Sequence, residues 1–181
     1  NITDFKNKNL ADKKINNLQV ADSMAYISTD FGIVTLNLKR REFGNTYTIN
    51  HNVNSVALFE GYIFASTSDG VYRGSIVDNL LDNKNWGKVI KYPLSALAVY
   101  KDKLYGIIPT LGFYSFDADG RFKLLLNNNG NERFTYINVV DGKMFVRTAS
   151  KVYVYDSPEN YVIYSLPENT ITLCPDGKDF W

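Results

Sequence analysis

Ala21-Asp22-Ser23-Met24-Ala25-Tyr26 is the first of five versions of one motif. The others are Phe59-Glu60-Gly61-Tyr62-Ile63-Phe64, Tyr100-Lys101-Asp102-Lys103-Leu104-Tyr105, Val140-Asp141-Gly142-Lys143-Met144-Phe145 and Pro175-Asp176-Gly177-Lys178-Asp179-Phe180. Met24, Tyr62, Lys103, Lys143 and Lys178 hold the same place in each, spaced 38, 41, 40 and 35 residues apart. Two positions on stands an aromatic every time: Tyr26, Phe64, Tyr105, Phe145 and Phe180.

The residues around each motif read as strands. Ahead of it, apolar side chains fall at every second position: Leu18 and Val20, Val56 and Leu58, Leu97 and Val99, Ile137 and Val139, with Thr172 and Cys174 in the last unit. Alternation of this kind places one face of a strand in a core. Behind it come Gly32, Gly70 and Gly112, which suit a tight turn, with Ser150 where the fourth unit departs. Third strands then begin at Ile33-Val34, Val71-Tyr72, Phe113-Tyr114 and Val152-Tyr153, and fourth strands are expected over 46–49, 86–92, 122–126 and 161–166. The segment from Ser75 to Leu81 is expected to form a helical turn between the outer strands of the second unit.

A strand-only repeat of about 40 residues is the signature of a propeller blade. The fold class is therefore all-β: a β-propeller fragment of about four four-stranded antiparallel blades plus a partial fifth. The repeats cover approximately 13–50, 51–92, 93–132, 133–168 and a truncated 169–181. The recurring aromatic is expected to wedge one blade against the next. Ile2 to Phe5 reads as an outer strand, either of a preceding blade or completing the truncated fifth by strand exchange. The chain opens on Asn1 and stops within an apparent strand at Trp181, so both ends are expected to be those of a fragment. Open blade edges leave unpaired backbone groups, from which homo-oligomerisation is expected.

Composition narrows the function. Of 181 residues, 45% are hydrophobic and 14% aromatic, enough for a sizeable core built of strands. Twenty basic against nineteen acidic residues give a net charge of +1, which exerts no broad pull on nucleic acid. No apolar run of about 18 residues offers membrane insertion. A single cysteine, Cys174, excludes an intrachain disulfide framework and any cysteine-based zinc cluster, and its place among Val20, Leu58, Val99 and Val139 makes it a core residue.

The chemistry-bearing residues favour recognition. His51 is the only histidine and falls in the Asn50-His51-Asn52 link, with no Gly-x-Ser-x-Gly nucleophile motif to serve. Asp117-Ala118-Asp119-Gly120 opens like a calcium loop, yet Asn128 stands where the bidentate Glu belongs, so a turn between outer strands is the better reading. Asp30, Asp69 and Asp102 sit beside turns, where a carboxylate caps its own backbone. Lys39-Arg40-Arg41 reads as a solvated hairpin and Asn127 to Asn131 as a polar loop. No catalytic residue, metal ligand or cofactor is assigned, and the chain is read as a non-enzyme. In a propeller, the turns between second and third strands share a face with the links between blades. That face nominates Asp30, Phe31, Ser68, Asp69, Thr110, Leu111, Ser150 and Lys151 from the turns, and His51, Asn52, Tyr92, Asn131, Glu132 and Arg133 from the links, as ligand or partner contacts. Arg133 and Tyr92 are preferred as anchors by residue type.

The stretch from Ile2 to Ile49 carries a resemblance, above all Asp30-Phe31-Gly32-Ile33-Val34-Thr35-Leu36-Asn37-Leu38 followed by Thr46-Tyr47. It resembles the propeller region of the Por (type IX) secretion system protein of Bacteroidota, the partner of the sortase that processes exported cargo. Ala65-Ser66-Thr67-Ser68-Asp69-Gly70-Val71-Tyr72 is also similar to the regulator propellers in the periplasmic half of Bacteroidota hybrid two-component sensors. Both resemblances imply a periplasmic or outer-surface location and recognition instead of catalysis. The first implies a secretion-system sortase, or another protein, or a surface glycan as partner. The second implies a ligand-sensing propeller of a sensor kinase. Neither implies a nucleic-acid partner.

Overall fold

The computed structural model describes residues 14–130, 132–167 and 170. The expectations for Ile2 to Phe5, for Asn131 and for the fifth repeat with Cys174 and Phe180 lie outside the described residues. Among the described residues sixteen strands form four antiparallel sheets of four, each in simple meander order. The first sheet holds β1 (Ile15–Ala21), β2 (Met24–Thr29), β3 (Gly32–Asn37) and β4 (Glu42–Tyr47). The second holds β5 (Val53–Phe59), β6 (Tyr62–Thr67), β7 (Gly70–Ser75) and β8 (Gly87–Ile90). The third holds β9 (Ala96–Tyr100), β10 (Lys103–Ile108), β11 (Gly112–Phe116) and β12 (Phe122–Asn127), and the fourth β13 (Tyr136–Val140), β14 (Lys143–Arg147), β15 (Lys151–Ser157) and β16 (Asn160–Ser165). Each sheet is one blade of a propeller. Among the described residues no helix is long and apolar enough to cross a membrane.

The chain divides into two compact units, Asn1–Lys91 and Tyr92–Trp181. In the first unit, β1 and β2 pack against β5, so the inner strands of two successive blades lie side by side. Its core joins Ile33, Ile49, Val53, Val56, Ile63, Ala65, Leu80 and Trp86, with Tyr26 and Tyr47 packed onto it. Tyr26 is thus a wedge between the first blade and the second. In the second unit β9 and β10 pack against β13, and Tyr105 does the same work, buried with Phe113, Phe134, Ile137, Met144 and Tyr155. The ring of Tyr105 stacks on that of Phe113 at 5.7 Å.

Pairing overrides local propensity in the outer strands. β4 begins at Glu42, four residues before the β-branched stretch that marks it in the sequence, because Leu36 pairs with Phe43 and Asn37 with Glu42 across a register shift. β8 is confined to Gly87–Ile90, with Trp86 left in the preceding loop. The helical turn of the second blade forms later than expected, as a short 3-10 helix at Asn83–Asn85 capped by the Asp82 side chain. Asp117 to Gly120 is the tight turn anticipated: the Asp117 carboxylate accepts from the backbone N–H groups of Asp119 and Arg121 at 3.0 and 2.9 Å.

Candidate functional site

In three of the blades the turn between second and third strands shares one design. A threonine ends the second strand, and its hydroxyl both accepts from the turn backbone and donates across the turn. Thr29 Oγ1 donates to the Gly32 carbonyl at 2.8 Å, and Thr67 Oγ1 to that of Gly70 at 2.9 Å. In the fourth blade Thr148 Oγ1 accepts from the Lys151 N–H at 3.1 Å. The register places Lys151, not Ser150, at the position of the glycines. The third blade departs differently: Ile108 pairs directly with Gly112 around a three-residue turn that carries Leu111 at its end.

The second blade gathers a polar cluster at this end. Tyr72 and Lys88 are direct cross-strand partners on β7 and β8, and Asp69 reaches back from the turn to meet both. Lys88 Nζ lies 2.5 Å from Asp69 Oδ2, and the Tyr72 hydroxyl donates to the same oxygen at 2.7 Å. His51, in the link that leads into β5, stacks its ring on Tyr72 at 5.5 Å and brings Nε2 to 3.3 Å from the Tyr72 oxygen and 3.5 Å from Asp69 Oδ2. With the phenolic proton directed at Asp69, the Tyr72 oxygen accepts from His51 Nε2–H, which assigns the tautomer from the network. Lys88 Nζ also sits 5.5 Å from the centre of the Tyr72 ring.

The charges of this cluster are fixed near neutrality. The hydrogen bond from Lys88, then that from Tyr72, holds the Asp69 carboxyl below its usual range. The Asp69 hydrogen bond pushes the Lys88 ammonium up. Desolvation, followed by the bond to Asp69, raises the Tyr72 phenol and keeps it neutral. Side chains of His51, Asp69 and Lys88 remain 33%, 45% and 38% exposed, so solvent screens the pair and its contribution to stability is small. The cluster is a preorganised surface: a stacked aromatic pair, one carboxylate and one ammonium, all half open to solvent.

Sequence reasoning selected His51 and Asp69, which the structure brings together, and missed Tyr72 and Lys88. In the same unit Asp30 is tied to Asn16, whose Nδ2 donates to Asp30 Oδ1 at 2.9 Å and to the Val53 carbonyl at 2.9 Å. Phe31 donates its backbone N–H to Thr29 Oγ1 at 3.3 Å.

In the second unit Tyr92 lies away from the turns. The Tyr92 ring meets Phe122 edge-on at 5.9 Å, and Phe122 pairs with Phe116 at the end of β11 remote from the Leu111 turn. Leu111 and Arg133 are exposed. Beside Lys151 the structure brings together two of the nominated residues, Glu132 and Ser150: Glu132 accepts from the hydroxyls of Ser150 and Thr148, which depress its carboxyl, with Lys151 adding to the effect.

Residues 1–87 match the family model described as the TSS9, PorZ, N-terminal beta-propeller domain. The fold is similar to that of PorZ, a surface component of the type-IX secretion system of Porphyromonas gingivalis, with a TM-score of 0.79 at 18% identity, covering 96% of this chain and 23% of that one. It is similar as well to the extracellular domain of a hybrid two-component system of B. thetaiotaomicron, with a TM-score of 0.55 at 14% identity, covering 84% of this chain and 22% of that one. BamB of Moraxella catarrhalis gives a TM-score of 0.53 at 11% identity over 73% of this chain and 39% of that one. The chain spans between about a fifth and two fifths of the length of these proteins. No curated protein matches the sequence.

Proposed function

We propose that this chain is a non-enzymatic, extracytoplasmic recognition propeller of a type IX secretion machinery, which binds a protein partner or a surface glycan through the turn-and-link end of its blades. The match of residues 1–87 to the PorZ N-terminal propeller supports the assignment to that machinery. The cluster of His51, Asp69, Tyr72 and Lys88 supports recognition over catalysis. Its one imidazole has Nε2 turned onto Tyr72 and Asp69, where it orients a phenol and faces no nucleophile. A stacked aromatic pair with a charge of each sign suits an interface anchor. The processing sortase of the same system is the protein partner the resemblance implies.

A second reading, a periplasmic ligand-sensing propeller of a hybrid two-component sensor, draws on the likeness to the B. thetaiotaomicron extracellular domain. Titration of the chain with the purified sortase and with a glycan array tests the proposal. Binding of either that weakens about tenfold in Lys88→Glu is the expected result. Binding unchanged by Lys88→Glu and by Asp69→Ala would remove the cluster from the interface, and turnover of a glycoside panel would end the non-enzyme reading.

A further inference from the structure

The connection from β7 to β8 differs from its equivalents. It runs from Ile76 to Trp86, eleven residues, where the other blades use 38–41, 117–121 and 158–159 for the same purpose. Eleven residues without a strand are ordinarily either a functional loop or a loose one. This one is braced at every step. The Ile76 N–H donates to the Gly61 carbonyl at 3.0 Å and the Asp78 N–H to that of Ser75 at 3.0 Å. The Asn79 carbonyl accepts from the Asp82 N–H and the Asn85 side-chain amide, and its Oδ1 accepts from the Leu81 N–H. Leu80 and Trp86 plug into the core of the unit, 4% and 7% exposed, and Trp86 Nε1 donates to the Leu80 carbonyl at 3.0 Å. Gly74 leaves the space that Leu80 enters: a Cβ there would lie 2.4 Å from Leu80 Cδ2.

The same bracing holds three aliphatic side chains in solvent: Val77 is 88% exposed, and Ile76 and Leu81 are each 55% exposed. A single exposed aliphatic needs no explanation; three within six residues of one ordered loop expose apolar surface whose desolvation favours association. The exposed carboxylates of Asp78 and Asp82 flank them, with Lys84 following. An anionic lipid surface is repelled by that pair of carboxylates, whereas a protein concavity lined with apolar groups and rimmed with lysine or arginine complements both features. The loop leaves β7 at the end opposite the Asp69 turn, and Ile76 lies about 13 Å from Tyr72 along four residues of strand, so its apolar tip is a separate surface.

We infer that the loop from Ile76 to Trp86 is a docking tip, in which Val77, Ile76 and Leu81 enter an apolar, basic-rimmed pocket of another protein. Envelope extract of the source organism is passed over the immobilised chain, and each retained protein is purified and titrated singly against the native chain, Val77→Ser and the Asp78→Lys/Asp82→Lys double variant. One protein is expected to bind with an affinity weakened about tenfold or more by either change, and to give a zero-length carbodiimide cross-link between its lysines and Asp78 or Asp82. Val77 is exposed enough that Val77→Ser leaves the urea midpoint unchanged, which separates lost docking from lost folding. Absence of any binder, binding indifferent to both variants, or a Val77-dependent association with phosphatidylglycerol vesicles or with a second copy of the chain would each overturn the inference.

Discussion

Asn16 donates both of its amide bonds at 2.9 Å, one to Asp30 and one to the carbonyl of Val53. A single side chain on β1 thereby clamps the β2–β3 turn of its own blade to the first strand of the next. In the second blade His51 meets the turn through Tyr72, to which its Nε2 is bonded at 3.3 Å, with Asp69 Oδ2 3.5 Å away. Glu132 and Ser150 repeat the clamp in the fourth with the polarity reversed, the link accepting and the turn donating. Turns tied in this way suit a binding surface that loses little freedom on association.

Replacement of Asn16 by Ala therefore removes two hydrogen bonds and leaves the Val53 carbonyl without that donor. A loss of about 1 to 2 kcal/mol is expected from urea unfolding. Asn16→Asp should lose more than Asn16→Ala at pH 7, because it sets a second carboxylate against Asp30. Equal losses from the two variants would mean that the clamp is only steric.

The glycines of these turns owe their identity to the fourth strand. Gly70 has φ +133° and Gly32 φ +139°, and a Cβ at either would lie 2.3 or 2.1 Å from the carbonyl oxygen of Ile90 or Tyr47 respectively. Gly61 also has positive φ, +76°, yet nothing lies within 4 Å of its Cβ position. Gly70→Ala is expected to cost more than about 2 kcal/mol, and Gly61→Ala about 1 kcal/mol from backbone strain alone. Chemical denaturation of the two variants checks the ordering.

Strand alternation made the blades legible in the sequence, since Leu18 and Val20 or Ile137 and Val139 announce a face without any knowledge of partners. The wedge role of Tyr26 and Tyr105 followed from their recurrence. Tyr72 and Lys88 were not legible as site residues, because their meeting depends on a register shift beside Val71 and on where β8 starts, which the long loop conceals. A tyrosine two residues after the turn glycine was the available signal. The early start of β4 escaped for a related reason: Glu42 to Asn45 has little strand propensity, and pairing with β3 alone enforces it.

Part of the acid sensitivity should trace to Asp69 and Glu132. Both carboxyls are held below their ordinary values in the folded chain, by Lys88 and by Ser150 respectively. A depressed folded pKa adds stability that is present above the unfolded value and lost as pH falls through the folded one. Urea midpoints are thus expected to decline from about pH 5 to about pH 2. Asp69→Asn should flatten the small part of that decline that Asp69 carries and lower stability at pH 7 by the same small amount, as suits an exposed group.

Alkaline behaviour should be set in the second unit. Burial, then the charge of Glu159, pushes the Tyr105 phenol up to about 12, and burial raises that of Tyr155 as well. The Tyr155 carbonyl accepts the Tyr100 hydroxyl at 3.0 Å, which ties the third blade to the fourth. For a raised phenol the folded state holds its proton more tightly than the unfolded chain. Its contribution is complete below the unfolded value near 10 and is lost as pH climbs toward the folded one. Stability is expected to fall steeply above about pH 10, and the phenolate absorbance of these two tyrosines should develop only with loss of the near-ultraviolet dichroism of the core. Tyr105→Phe keeps the wedge and removes the titrating proton, so it should shift the alkaline transition upward; smooth titration of every tyrosine in a still-folded chain would show that the wedge is open to solvent.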